Sequence, residues 1–288
     1  MASLPESLSS NDRQTQLLVS ARLELIPMKS VDAQLAYLPE HAALSVTCSP
    51  VKGLGATLDL TSRLLDLGHD AVPHLSARLV EDRAHVIRLA SWIRQHGLRE
   101  VFLVAGDAPE PVGAYDSVVP LLRDLLDAGP GLTRIGVTAY PDGHALIERP
   151  VLSAALHAKQ DLLAEAAIAG YATTQMCFDA DLWRSWAESE RKAGLRLPLH
   201  LGLPGAIDRT KLLTMGMRLG IGASMRYVKK NRGALGRLFS PTRYDPAKLL
   251  VPMSRHAIEL GIEGLHIFTF NNVEATQEWR RRQTARLA

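Results

Sequence analysis

RLELIPMKS, residues 22–30, is the stretch on which the fold turns. Apart from Glu24 its centre is continuously apolar rather than alternating, as in a strand covered on both faces. After it comes Ile-Pro-Met-Lys-Ser, with none of the glycine-rich fingerprint that a doubly wound open sheet usually carries behind its first strand. A closed parallel barrel is the alternative, and the rest of the chain speaks for it.

Seven further runs of the same kind follow: 43–48, 70–77, 100–106, 134–141, 171–178, 197–203 and 264–270. Helix-like segments separate them. In 81–95, Val86, Leu89, Ala90 and Ile93 fall at i, i+3, i+4 and i+7, the stripe of an amphipathic helix. The segments 117–127, 153–169, 179–193, 207–219, 247–260 and 273–286 read the same way, and a looser pattern precedes the third run. Gly68, Gly97, Gly194 and Gly261 stand at or near helix C-caps. Strand–helix alternation repeated eight times predicts an α/β protein of the (β/α)8 TIM-barrel class. It is expected as one domain over 21–288, with 1–20 as a flexible lead-in. Residues 221–246 interrupt the pattern with Arg226, Lys229, Lys230, Arg232, Arg237 and Arg243. They read either as a solvated surface excursion or as a basic flap for anionic groups.

With 288 residues, 47% hydrophobic and 22% charged, the chain has enough apolar surface for a core without staples. The net charge of +3 gives no mandate for nucleic acid. Cys48 and Cys177 are too few for a disulfide framework and lack metal-ligand spacing, so buried free thiols and no metal are expected. No apolar stretch approaches the roughly 20 residues that span a bilayer, and the polar N-terminus has no signal-peptide core. A cytoplasmic protein without membrane partners is the expectation; assembly into a homo-oligomer is left open.

In this fold the chemistry sits at the C-terminal ends of the strands. Those positions are polar here: Glu24, Thr47, His74, Asp107, Tyr140, His144, Gln175 and Asn271. Glu24 stands out, because a carboxylate inside an apolar run is costly unless paired or protonated. A buried acid that keeps its proton suits general acid catalysis. The competing reading pairs Glu24 with an arginine such as Arg22 or Arg78.

Taken in order, these segments resemble the methylenetetrahydrofolate reductase family across roughly 22–275. LELIPMK matches the family's FEFFPPK, with Glu24 at the place of the catalytic acid. Ser45-Val46-Thr47 matches SVT, VPHL with His74 matches APHL, and AGD with Asp107 matches RGD. TAYPDGH, with Tyr140 and His144, resembles AAYPEVH. TTQMCFD with Gln175 resembles ITQFFFD, HLGLP resembles PGILP, and LHIFTFNN resembles FHFYTLNR. Eight short motifs in register are specific where each alone is weak.

The resemblance implies a barrel that binds FAD and reduces 5,10-methylenetetrahydrofolate to 5-methyltetrahydrofolate with NADH or NADPH. It implies Glu24, Asp107 and Gln175 as catalytic residues. Thr47, His74, Asp107, Tyr140 and His144 would bind the flavin, and Gln175, Ile207, Phe268, Phe270 and Asn272 the reduced folate. The outer contacts depart from the pattern. Leu162 and Ala166 stand where the family's helix carries an Asn and a Lys toward the flavin, and Asn272 replaces an Arg that reaches the folate tail. A flavin-free reductase passing hydride directly from NADH to the pterin is therefore the alternative. A non-catalytic pterin-binding barrel has against it that Glu24, Asp107 and Gln175 are all present.

Overall fold

A computed structural model describes residues 9–208 and 245–287. Eight parallel strands form one closed barrel in sequence order. They are β1 (Arg22–Leu25), β2 (Ala43–Val46), β3 (Asp70–Ser76), β4 (Glu100–Val104), β5 (Arg134–Ala139), β6 (Ala169–Thr174), β7 (Leu199–Pro204) and β8 (Ile262–Phe268). The ring closes where β8 pairs with β1, His266 opposite Arg22 and Phe268 opposite Glu24. Around it lie α2 (Gly53–Asp66), α3 (Arg83–Gln95), α4 (Val118–Asp127), α5 (Arg149–Glu165), α6 (Ala180–Lys192), α7 (Ala247–Ser254) and α8 (Val273–Leu287). Each apolar run of the sequence falls on a strand, so the barrel expectation holds. The helical stripes pack as their spacing requires: Val86, Leu89, Ala90 and Ile93 of α3 are all buried.

Of the lead-in, residues 1–8 lie outside the described residues, and the rest is a correction. Ser10–Val19 form a further helix, α1, whose start is capped by Ser9 accepting from the Asp12 N–H. Leu17 and Leu18 are buried, and α1 packs on α7, α8 and β8. Only its last turn carries apolar anchors, which is why its polar sequence reads as a tail. Of the helix expected at 207–219, Ile207 and Asp208 are not helical. Its remainder, and the basic excursion up to residue 244, lie outside the described residues. Where the chain returns, the Trp279 indole N–H donates to Asp245 Oδ1 at 2.9 Å.

The barrel interior departs from layers of branched aliphatics. At the N-terminal ends of the strands, Arg22 lies 3.0 Å from Asp70 and 3.5 Å from Glu100. The Arg134 guanidinium covers the Tyr171 ring at 4.3 Å and reaches His200 Nε2 at 3.3 Å. Tyr171 donates its hydroxyl to Glu100 at 2.7 Å. Burial and then Glu100 raise the Tyr171 phenol far above its ordinary range, so it remains a donor. Above this charged tier lies an aromatic one. Phe102 sits 4.6 Å from the His74 ring and 6.1 Å from those of Tyr171 and His266. Gly136 makes room for it: a Cβ there would stand 2.3 Å from Phe102 and 2.4 Å from Tyr171.

On the outer side of β5, Lys159 of α5 is buried and donates to the Thr138 carbonyl at 3.1 Å. Burial alone pushes its ammonium down to about 8.

Candidate active site

At the C-terminal ends of the strands a cavity of about 220 Å³ opens above Phe102. Its wall takes Thr47, His74, Asp107, Tyr140 and Gln175 from five different strand ends, with Phe268 and Phe270 opposite and Glu24 and His266 at its base. Residues far apart in sequence converge because parallel strands all deliver their last residues to one face.

Glu24 is buried, at 9% exposure, and neither arginine suggested by the sequence pairs with it. Arg22 serves Asp70 and Glu100, and Arg78 is spent on the carbonyls of Ala108 and Pro109. Its neighbours are imidazoles instead: Glu24 Oε2 lies 3.0 Å from His266 Nε2 and 3.9 Å from His74 Nδ1. Burial pushes His74 down to about 4 against the opposing attraction of Glu24, so this imidazole is neutral near pH 7. Its Nε2 is buried with no hydrogen-bond partner among the described residues. The 3.0 Å separation of Glu24 Oε2 and His266 Nε2 is a hydrogen-bond distance.

Two devices fix Glu24. The Thr269 hydroxyl, fully buried, donates to the Glu24 carbonyl at 2.6 Å. The Asn271 side chain accepts from Ile26 N–H at 2.8 Å and donates to the Ile26 carbonyl at 2.9 Å. To reach it the chain adopts left-handed geometry at Phe270 (φ 51°) and Asn271 (φ 55°). Asn tolerates that region, whereas for Phe it is strained. Strain of this kind persists where the surroundings over-determine it.

Most expected residues gather here. Thr47, His74, Asp107, Tyr140, Gln175, Phe268 and Phe270 all line the cavity with Glu24. Asp107 is exposed at the rim. Gln175 uses Oε1 to accept from Met176 N–H at 2.8 Å, leaving its amide N–H groups as remaining donors. Burial, then a smaller push from Asp107, raises the Tyr140 phenol. Three residues stand apart. His144 packs edge-on against Tyr140 at 5.5 Å but does not line the cavity. Ile207 lies behind the wall, in an apolar cluster with Met176 and Phe270. Asn272 turns away and donates to the Ala206 carbonyl at 3.1 Å, bracing the loop after β7. Cys48, expected buried, is half-buried and lines the cavity, while Cys177 is buried, and neither is in a disulfide.

His266 and Thr269 are the functional candidates that sequence reading passed over. The signal for His266 was its period: in Leu265-His266-Ile267 the flanking residues face the helices, so the imidazole faces the lumen.

Fold and site together define a (β/α)8-barrel protein with a cavity at the C-terminal ends of its strands, largely apolar and set with a few polar side chains. The sequence model of the methylenetetrahydrofolate reductase family matches residues 44–214, more than half of the chain, and the protein belongs to that family. Among solved structures, it is similar to a Clostridium thermocellum protein that binds two copies of 5-methyl-5,6,7,8-tetrahydrofolic acid. The TM-score is 0.57 at 13% identity, over 92% of both chains. A 2,3-dimethylmalate lyase of the PEP mutase/isocitrate lyase superfamily matches at TM-score 0.49 and 13% identity, over 97% of this chain and 87% of that one. At 13% identity the likeness to the Clostridium protein speaks to the barrel alone. No helix among the described residues is long and apolar enough to cross a membrane.

Proposed function

We propose that the protein reduces 5,10-methylenetetrahydrofolate to 5-methyltetrahydrofolate at the expense of NADH or NADPH. The observation that carries this reading is Glu24. In a member of this family it is a buried carboxyl with no arginine partner among the described residues, hydrogen-bonded to an imidazole at the base of the cavity. In the reaction, the bond between the bridging carbon and N10 breaks, its electron pair passes to N10, and Glu24 delivers a proton there. A hydride then completes the methyl group. Phe268 and Phe270 supply apolar surface for a flat pterin, and Gln175 supplies amide donors for its polar edge. Asp107 at the rim adjusts the charge felt by the bound rings. The folate-binding Clostridium protein of the same fold supports a reduced folate as ligand.

The cavity's residues fit a planar heterocycle with polar edges, because His74 Nε2 is a buried group without a partner among the described residues. FAD would be held by Thr47, His74, Asp107 and Tyr140, with His144 behind Tyr140, and would relay hydride from the nicotinamide. A second reading, in which the nicotinamide reduces the pterin directly, is favoured by the missing outer contacts. Leu162 packs against the core, Ala166 is the C-cap of α5, and Asn272 is spent on Ala206. Formation of 5-methyltetrahydrofolate from the methylene compound and a reduced nicotinamide tests the function. The visible absorbance of the purified protein separates the two readings: flavin bands support FAD, and full turnover by colourless protein supports direct transfer.

A further inference from the structure

Glu24 and His266 stand on adjacent strands, and the β1–β8 register places His266 opposite Arg22, two residues before Glu24. That offset lets the two side chains meet across the strands at 3.0 Å, with 9% and 2% exposure. A hydrogen bond between a carboxyl oxygen and an imidazole nitrogen exists only if a proton lies between them. Either Nε2–H donates to a carboxylate, or the carboxyl O–H donates to a neutral ring.

The surroundings hold few other sites for that proton. From β3, His74 faces the pair as a neutral ring. From β1, Arg22 lies in the tier beneath, already paired with Asp70 and Glu100. From β7, burial and then Arg134 press His200 well below its ordinary value. Phe102 stacks on His266 from β4, and Phe268 packs against it from β8, both uncharged. Asp107 is at the exposed rim.

We propose that the working acid of this site is the Glu24–His266 pair, one proton held between Oε2 and Nε2, with His266 positioning Glu24 and returning its proton after each turnover. The inference rests on Glu24 as the acid and extends it to the neighbouring strand. When N10 takes the proton, Glu24 is left as a carboxylate. A solvent proton, entering through the cavity as hydronium or buffer acid, is then taken up between Oε2 and Nε2, which restores the pair. The net proton consumed is the one that methylene reduction requires alongside the hydride of the reduced nicotinamide.

The test begins with the unliganded full-length protein, labelled with 15N in histidine and 13C in glutamate, and titrated between about pH 5 and 9. Two groups sharing a proton titrate as one system with common macroscopic steps. The His266 and Glu24 signals, assigned with H266Q and E24Q, are therefore expected to move with the same midpoints. In E24Q, His266 should revert to a single independent transition. In single-turnover reduction of 5,10-methylenetetrahydrofolate by NADH, H266Q retains a hydrogen-bonding partner for Glu24 but no titrating ring. Its rate should fall at least about 10-fold and its pH profile should lose the midpoint seen by NMR. Separate midpoints, or a His266 titration that ignores E24Q, would overturn the proposal. So would a wild-type pH profile in H266Q, or a stoichiometric metal whose chelation shifts both signals. Undiminished methyl formation by E24Q would instead sink the reading of Glu24 as the acid, an outcome distinct from the failure of the coupling.

Discussion

Asn271 and Ile26 hold each other through a reciprocal pair of hydrogen bonds, Ile26 N–H to Oδ1 at 2.8 Å and Nδ2–H to the Ile26 carbonyl at 2.9 Å. The amide continues the β1–β8 ladder past the last backbone pairing and so holds the chain just beyond Glu24. N271A leaves both groups of Ile26 without that partner and should cost about 1–3 kcal/mol. N271G loses the same amide but relieves the left-handed strain, so it should sit about 1 kcal/mol above N271A. Urea denaturation of both variants checks this; equal stabilities would show that the strain is negligible.

Glu24→Gln keeps the shape of the side chain and a hydrogen bond to His266 while removing the transferable proton. Folate reduction should fall by about 10²–10⁴-fold, with unfolding midpoints close to those of the parent protein. If flavin is bound, its reduction by NADH should continue within a small factor, because that half-reaction needs no proton at N10. Rapid-mixing absorbance separates the halves, and equal losses in both would count against the assignment.

Lys159 gives a pH signature in stability. Its folded-state value, about 8, lies below the ordinary 10.5, so the native state releases this proton first. The protein should therefore gain stability from this group as pH rises through that window, and bear the full cost of the buried charge below about pH 8. K159M should stabilise the fold by up to about 3 kcal/mol near pH 7, an advantage that fades toward pH 10.5. Melts of both proteins across the range decide it. A pH-independent difference would mean that the ammonium finds solvent.

Gly136→Ala should be far more damaging than its size suggests, because the new methyl group meets the Phe102 and Tyr171 rings below van der Waals contact. Overpacking of this kind typically costs about 1–3 kcal/mol. Since Phe102 also carries His74 and His266, folate affinity should drop with stability. Adding F102L should recover only the part of the loss owed to Phe102, leaving that owed to Tyr171; no recovery at all would place the strain on Tyr171 alone.

The barrel was legible because eight buried strands each leave an apolar run, and the strand ends were legible because polar side chains are conspicuous there. Glu24 could be singled out for the same reason. Its real partner could not: adjacency of β1 and β8 follows from ring closure, not from distance along the chain. The direction of Asn272 was not legible, because the left-handed turn at Phe270 and Asn271 carries the next side chain toward Ala206, and a Phe in that region is not foreseeable from Thr-Phe-Asn-Asn. The helix α1 escaped notice because Leu17 and Leu18 are its only buried apolar side chains.

Ring closure also sets an order of events during synthesis. β1 emerges first, yet half of its hydrogen-bonding partners belong to β8, and α1 rests on helices made still later. Until about 240 further residues have been translated, β1 presents an open edge, the kind of surface that recruits foreign strands. The loop to be closed is nearly the whole chain, which favours slow completion of the native ring. Lys29, four residues beyond this strand, and Arg22 at its start place charge on both sides of that waiting edge, a placement that discourages edge-to-edge association while the nascent chain is unfinished.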